Sequence, residues 1–175
     1  MEKPQSGISF KGMSLMFKIR DLVRPRGSIL KEVGIKPGFQ VLDFGCGPGG
    51  YLLPLAKLTG ASGKIYALDM NPAAILTVKS LAARHKLANV QTILSDGATG
   101  LPDNSIDAVL LYDILHQLKN PNAVPAELHR ILKPDGILSV SDHHMKEKGL
   151  TSKIAGTGLF RLSGKGKVFN FSRVQ

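Results

Sequence analysis

From Phe39 onward the chain alternates compact apolar runs with longer amphipathic ones: FQVLDF, YLLPLAKL, KIYALDM and PAAILTVKSLAARHKL. A short apolar run bounded by turn residues suits a buried strand, and a longer amphipathic run suits a helix laid across it. Strand, helix, strand, helix restricts the chain to a parallel sheet covered on both faces. The alternation continues with VQTILS, IDAVLLY, a helix around DILHQL, a second helix NAVPAELHRIL and the strand GILSVS.

Pro72 after Asn71 suits the first turn of a helix, and KPDG at 133–136 supplies a stop and a turn. Near the C-terminus two β-prone runs flank Ser163-Gly164-Lys165-Gly166, which reads as an antiparallel hairpin closing the sheet. Residues 13–33 read as two helical pieces broken at Arg24-Pro25. The expected fold is a single α/β domain, a Rossmann-like doubly wound sheet of about seven strands, mostly parallel with a C-terminal antiparallel hairpin. A length of 175 residues matches one domain. Residues 1–34 form an N-terminal helical segment ahead of a ligand-binding domain at 35–175, and Phe10, Met13, Met16 and Phe17 could make that segment a lid. An amphipathic helix docked on the sheet explains the same pattern.

No apolar run approaches the ~18 residues of a bilayer span, so no membrane span is expected. The start MEKPQSGISFKG lacks the apolar block of a secretory signal, so the expected location is cytoplasmic. The single cysteine, Cys46, rules out an internal disulfide and a thiolate cage for zinc. Charge is segregated: residues 1–40 and 146–175 carry net +5 and +6, whereas 41–145 carry net −1. The basic ends could steer an anionic partner, including RNA, or could simply be solvated. A site that needs carboxylates lies in the middle.

There, VLDFGCGPGGY at 41–51 falls where the first strand passes to a helix, the mouth at which open parallel sheets bind ligands. Gly45, Gly47 and Gly49 let a ligand lie against backbone, and the following N–H groups favour an anion. Alone, the loop is ambiguous, since Gly45, Gly47 and Gly50 also fit G-x-G-x-x-G and a bare tight turn explains it too. Asp69 closes the second strand nineteen positions past Gly50, where a carboxylate can accept from vicinal ribose hydroxyls. Asp96, followed by Gly97, closes the third and could accept from an exocyclic amine. A nucleoside is implied.

These motifs resemble those of the class I methyltransferases that use S-adenosylmethionine. VLDFGCGPGGY resembles their first motif, YALDMNP their second, LSDGATGLPDNSIDAVLLYDILH their adenine loop and fourth strand, and LHRILKPDGILSVSD the approach to the fifth. The subgroup most similar is that of small-molecule enzymes like those of ubiquinone and menaquinone biosynthesis. The resemblance implies S-adenosylmethionine as cofactor and S-adenosylhomocysteine as product. It implies that Asp43, Gly45, Gly47 and Gly49 surround the methionyl part, with Cys46 in the same cofactor-binding turn, and that Asp69 holds the ribose. Met70 would pack on adenine, Asp96 and Gly97 would meet its edge, and Tyr112 would line the pocket beneath the sulfonium.

Methyl transfer from a sulfonium requires alignment and exclusion of water, and no obligatory catalytic residue follows. His116, Tyr112 and His143 are the candidates should an acceptor need its proton removed. Asp113, Asp142 and His143 invite a metal reading, but histidine suits magnesium poorly and no metal is expected. The expected acceptor is a small molecule, which the basic ends would allow to be anionic. The competing readings are methylation of RNA or protein, and a regulatory protein that binds the cofactor without transferring it.

Overall fold

In a computed structural model, which describes residues 26–118 and 122–174, the order of elements follows the sequence pattern. They are α1 (Arg26–Val33), β1 (Gln40–Phe44), α2 (Leu52–Thr59), β2 (Lys64–Asp69), α3 (Pro72–Arg84), β3 (Val90–Leu94) and β4 (Ile106–Tyr112). After these come α4 (Ala123–Ile131), β5 (Leu132–Ser141), α5 (Glu147–Ala155), β6 (Phe160–Lys165) and β7 (Phe169–Arg173). The strands form one seven-stranded sheet in the order β3-β2-β1-β4-β5-β7-β6. Pairings from β3 to β5 are parallel, and β7 enters antiparallel between β5 and β6. The strand order reverses between β1 and β4, which is where an open α/β sheet leaves a crevice at its strand ends.

Two-residue periodicity sorts the strands between two cores. Leu42 and Phe44 of β1, Leu68 of β2, and Val109 and Leu111 of β4 pack with Val124 and Leu128 of α4 and Leu150 of α5. Val41, Ile65, Ala67, Ala108, Leu110 and Tyr112 face the other way, onto Leu30 of α1, Leu55 of α2 and Val78 of α3. Helix α3 starts as expected: Pro72 occupies its first turn and the Asn71 side chain accepts from the Ala73 N–H at 2.9 Å. Among the described residues no helix is long and apolar enough to cross a membrane.

Three local expectations are corrected. The hairpin turn lies at 166–168 instead of 163–166, because β6 continues to Lys165 by bulging between Leu162 and Gly164. KPDG does not end an element: it is absorbed as a bulge within β5, where Ile106 faces Leu132 while Ala108 already faces Ile137. DILHQL carries only a single 3₁₀ turn, Leu115–Gln117. Of the N-terminal segment, residues 1–25, including the Arg24-Pro25 break and the proposed lid residues, lie outside the described residues.

Candidate active site

The glycine loop is tied to β2 before any ligand is considered. The N–H groups of Gly45 and Cys46 both donate to the Leu68 carbonyl, at 2.8 and 2.9 Å. The Gly47 N–H donates to Asp69 Oδ2 at 2.8 Å, and Asp69 Oδ1 accepts from the Asn71 N–H at 2.8 Å. Asp69 thus sets the spacing between the β1 and β2 ends. These turns require backbone that a side chain resists: φ is +77° at Gly45, +50° at Gly47 and +80° at Gly49.

Asp43, at the fourth position of β1, is 4 % exposed. Among the described residues no hydrogen-bond donor reaches its carboxylate. Burial raises its pKa to about 7; the nearby Arg26 guanidinium opposes the shift and Asp69 adds to it. Arg26 comes from α1, lies 5.1 Å from the Tyr51 ring centroid and fills the space where a side chain on Gly50 would stand. Reading the sequence missed Arg26, because it lies well upstream of the loop it covers.

Beside the loop opens a cavity of about 620 Å³, within the range of small-molecule sites. Gly45, Asp69, Met70, Asp96 and Gly97 line it, joined by Ser95, whose hydroxyl accepts from the Gly97 N–H at 3.2 Å. Ile114 and Gln117 close it from the turn after β4 and Glu127 from α4. Hydrogen bonds from Arg130 outweigh burial and, with those from Thr99, hold the Glu127 pKa down at about 2. These three were not foreseen: Glu127 reads as the solvent face of an amphipathic helix, and Ile114 and Gln117 as part of a regular helix.

The other expected residues are not part of that lining. Asp43, Cys46, Gly47 and Gly49 belong to the loop and strand end beside it. Tyr112 is on the same face of the sheet as Asp43: it is 7 % exposed on the α2 side, its hydroxyl shares a 2.8 Å hydrogen bond with Ser139, and burial pushes its pKa up. Burial likewise raises the Cys46 thiol, which leaves it protonated. His116 and His143 are each paired with a carboxylate, His116 Nδ1 with Asp142 at 2.8 Å and His143 Nδ1 with Asp113 at 2.7 Å. Asp142 and His143 therefore turn to different partners, and among the described residues no group of three such side chains is arranged to hold a metal.

Residues 35–157 match the family model for the methyltransferase domain. The chain belongs to this family. This methyltransferase-family chain is 31% identical over 130 residues to a sterol 24-C-methyltransferase of Gibberella zeae, covering 73% of this chain and 34% of that protein. It is 28% identical over 126 residues to a demethylmenaquinone methyltransferase of Geobacillus stearothermophilus, covering 71% of this chain and 54% of that one. The chain thus spans between a third and about half of the length of these curated relatives. A SAM-dependent methyltransferase from Aquifex aeolicus has the same fold, with a TM-score of 0.74 at 28% identity over 89% of this chain and 95% of that one.

The family's cofactor, S-adenosylmethionine, fits what is present. Asp43 is a buried carboxylate lacking a donor among the described residues, and an ammonium group would supply one. A side chain on Gly47 would meet no protein atom within 4 Å, so the loop offers bare backbone to open space. Carboxylates at the ends of β2 and β3 reach the same cavity, as hydroxyl and amine donors require.

Proposed function

We propose that this protein transfers a methyl group from S-adenosylmethionine to a small organic acceptor. The observation that carries the reading is Asp69, which holds the glycine loop with one oxygen and faces the same cavity as Asp96. In this reading Asp43 and the bare backbone at Gly47 meet the methionyl end, Asp69 takes the ribose hydroxyls, and Met70, Asp96 and Gly97 hold adenine. The cofactor would cross the end of β1, since Asp43 points to one face of the sheet and Phe44 to the other. When bound, the sulfonium supplies an activated methyl group; the protein's part is alignment and exclusion of water. The relatives named as sterol and demethylmenaquinone methyltransferases support a small-molecule acceptor.

Calorimetry with S-adenosylmethionine tests the proposal. Binding is expected, and Asp69→Ala should weaken it by about a hundredfold or more, since it removes a charged acceptor worth ~1.5–3 kcal/mol per hydrogen bond and releases Gly47 as well. Absence of binding to the unaltered protein, or equal affinity in Asp69→Ala, defeats the reading.

A further inference from the structure

At the ends of β4 and β5, three imidazoles and two carboxylates form one cluster. Asp142 has a fully buried side chain beside a partly exposed His116. Its Oδ1 and Oδ2 lie 3.0 and 2.8 Å from His116 Nδ1. Oδ2 also accepts from the His116 backbone N–H, and Oδ1 from that of His144, both at 3.0 Å. Burial favours the neutral acid, but these hydrogen bonds outweigh it and hold the Asp142 pKa below the usual carboxylate value. The His144 ring lies between the other two, 4.4 Å from His116 and 3.8 Å from His143 by centroid, and His143 is paired with Asp113.

An ionised, fully engaged carboxylate at Nδ1 fixes which nitrogen of His116 carries the proton. Neutral His116 then presents its lone pair at Nε2, where the Gln117 side-chain amide stands 3.2 Å away as a donor. Gln117 lines the cavity and His116 itself does not, so the lone pair stands just behind that lining, where an acceptor's proton reaches it by taking the place of the Gln117 amide. Lys153 fastens the same turn from α5 by donating to the Leu115 carbonyl at 2.7 Å.

We propose that His116 is the proton acceptor of the reaction, that Asp142 is its positioning residue, and that the acceptor's methylated atom must give up a proton, as an O–H or an acidic C–H does. This rests on the methyltransferase reading above. The acceptor's proton passes to His116 Nε2 and the resulting imidazolium is balanced by Asp142. The electron pair left on the acceptor atom forms the new bond to the methyl carbon while the carbon–sulfur bond breaks, its pair returning to sulfur. A tertiary amine or a thioether, which already offers a free pair, would leave this arrangement unused.

Imidazole ¹⁵N NMR of the full chain reads the arrangement without turnover. His116 should show one tautomer, protonated at Nδ1, at pH 8, and Asp142→Asn should give a mixture. Formation of S-adenosylhomocysteine is then measured with phenol and acetylacetone, which have a proton to lose, against pyridine and dimethyl sulfide, which do not. Turnover is expected only with the first pair. His116→Ala and the similarly sized His116→Gln should reduce it by about a hundredfold or more, and imidazole should partly restore His116→Gly. A proton on Nε2, turnover favouring the second pair or absent with all four, or turnover unchanged by both His116 variants overturns the inference. In each of these cases retained S-adenosylmethionine binding leaves the methyltransferase reading standing; loss of binding in the unaltered protein defeats that reading itself.

Discussion

Asp43→Asn is expected to stabilise the ligand-free protein above pH 7 and, in the same variant, to weaken S-adenosylmethionine binding. The Asp43 carboxyl is buried and its pKa is raised to about 7, chiefly by burial. A raised acid pKa means that the folded state binds a proton more tightly than the unfolded chain. Stability from this group is therefore fully present below the ordinary carboxylate pKa of ~3.9 and is lost as pH rises toward 7. The loss is on the order of 4 kcal/mol. Asparagine cannot ionise, so thermal melts of variant and parent should coincide near pH 4, diverge through pH 5 and 6, and keep a constant gap above pH 7. Binding reverses the preference, because an ammonium beside Asp43 favours the carboxylate. Calorimetry of the unaltered protein near pH 6.5, in two buffers of different ionisation enthalpy, should report release of about one proton on binding, and the variant none. Parallel melting profiles across this range would show that Asp43 is not the strained acid described above.

That strain was invisible in VLDFGCGPGGY, and the reason lies in what a one-dimensional pattern can carry. Alternation of short apolar and longer amphipathic runs specified strand and helix types, and turn residues such as Asn71-Pro72 marked a true helix start. Asp69, Met70, Asp96 and Gly97 were legible as cavity residues because each stands at or just past the end of a parallel strand, and such ends share one rim. Side-chain parity was the harder quantity. Tyr112 ends β4 as expected, yet it lies an even number of positions from Ala108 and Leu110 and so joins their core, while the cavity opens on the face of Phe44 and Leu68. Contacts between distant segments left no local signal: Arg26 over Gly50, and Asp142 with His116, join residues whose separation obeys no period. The KPDG bulge shows the limit from the other side, since turn chemistry was present but strand pairing on either side absorbed it.

Two of the loop glycines, Gly45 and Gly47, should respond differently to the same added methyl group. A Cβ at Gly45 would stand 3.1 Å from Ile114 Cγ1 and 3.3 Å from its Cβ and Cδ1, and φ there is +77°. Gly45→Ala therefore combines a left-handed backbone penalty of ~1–2 kcal/mol with pressure on a residue that lines the cavity. Melting temperature should fall by several degrees, and S-adenosylmethionine affinity by tenfold or more. At Gly47, φ is +50° and the added Cβ would meet nothing within 4 Å. Gly47→Ala should cost only the backbone term, ~1 kcal/mol or a few degrees, because no protein atom has to move. If the cofactor lies against this loop, however, the methyl group occupies space the ligand needs, and affinity should fall by far more than stability does, about a hundredfold. The comparison separates a loop that is glycine-rich for its own turn from one that is glycine-rich for its ligand. Equal affinities for Gly47→Ala and the parent, alongside a destabilised Gly45→Ala, would assign the glycines to folding alone and move the bound molecule away from the β1 end.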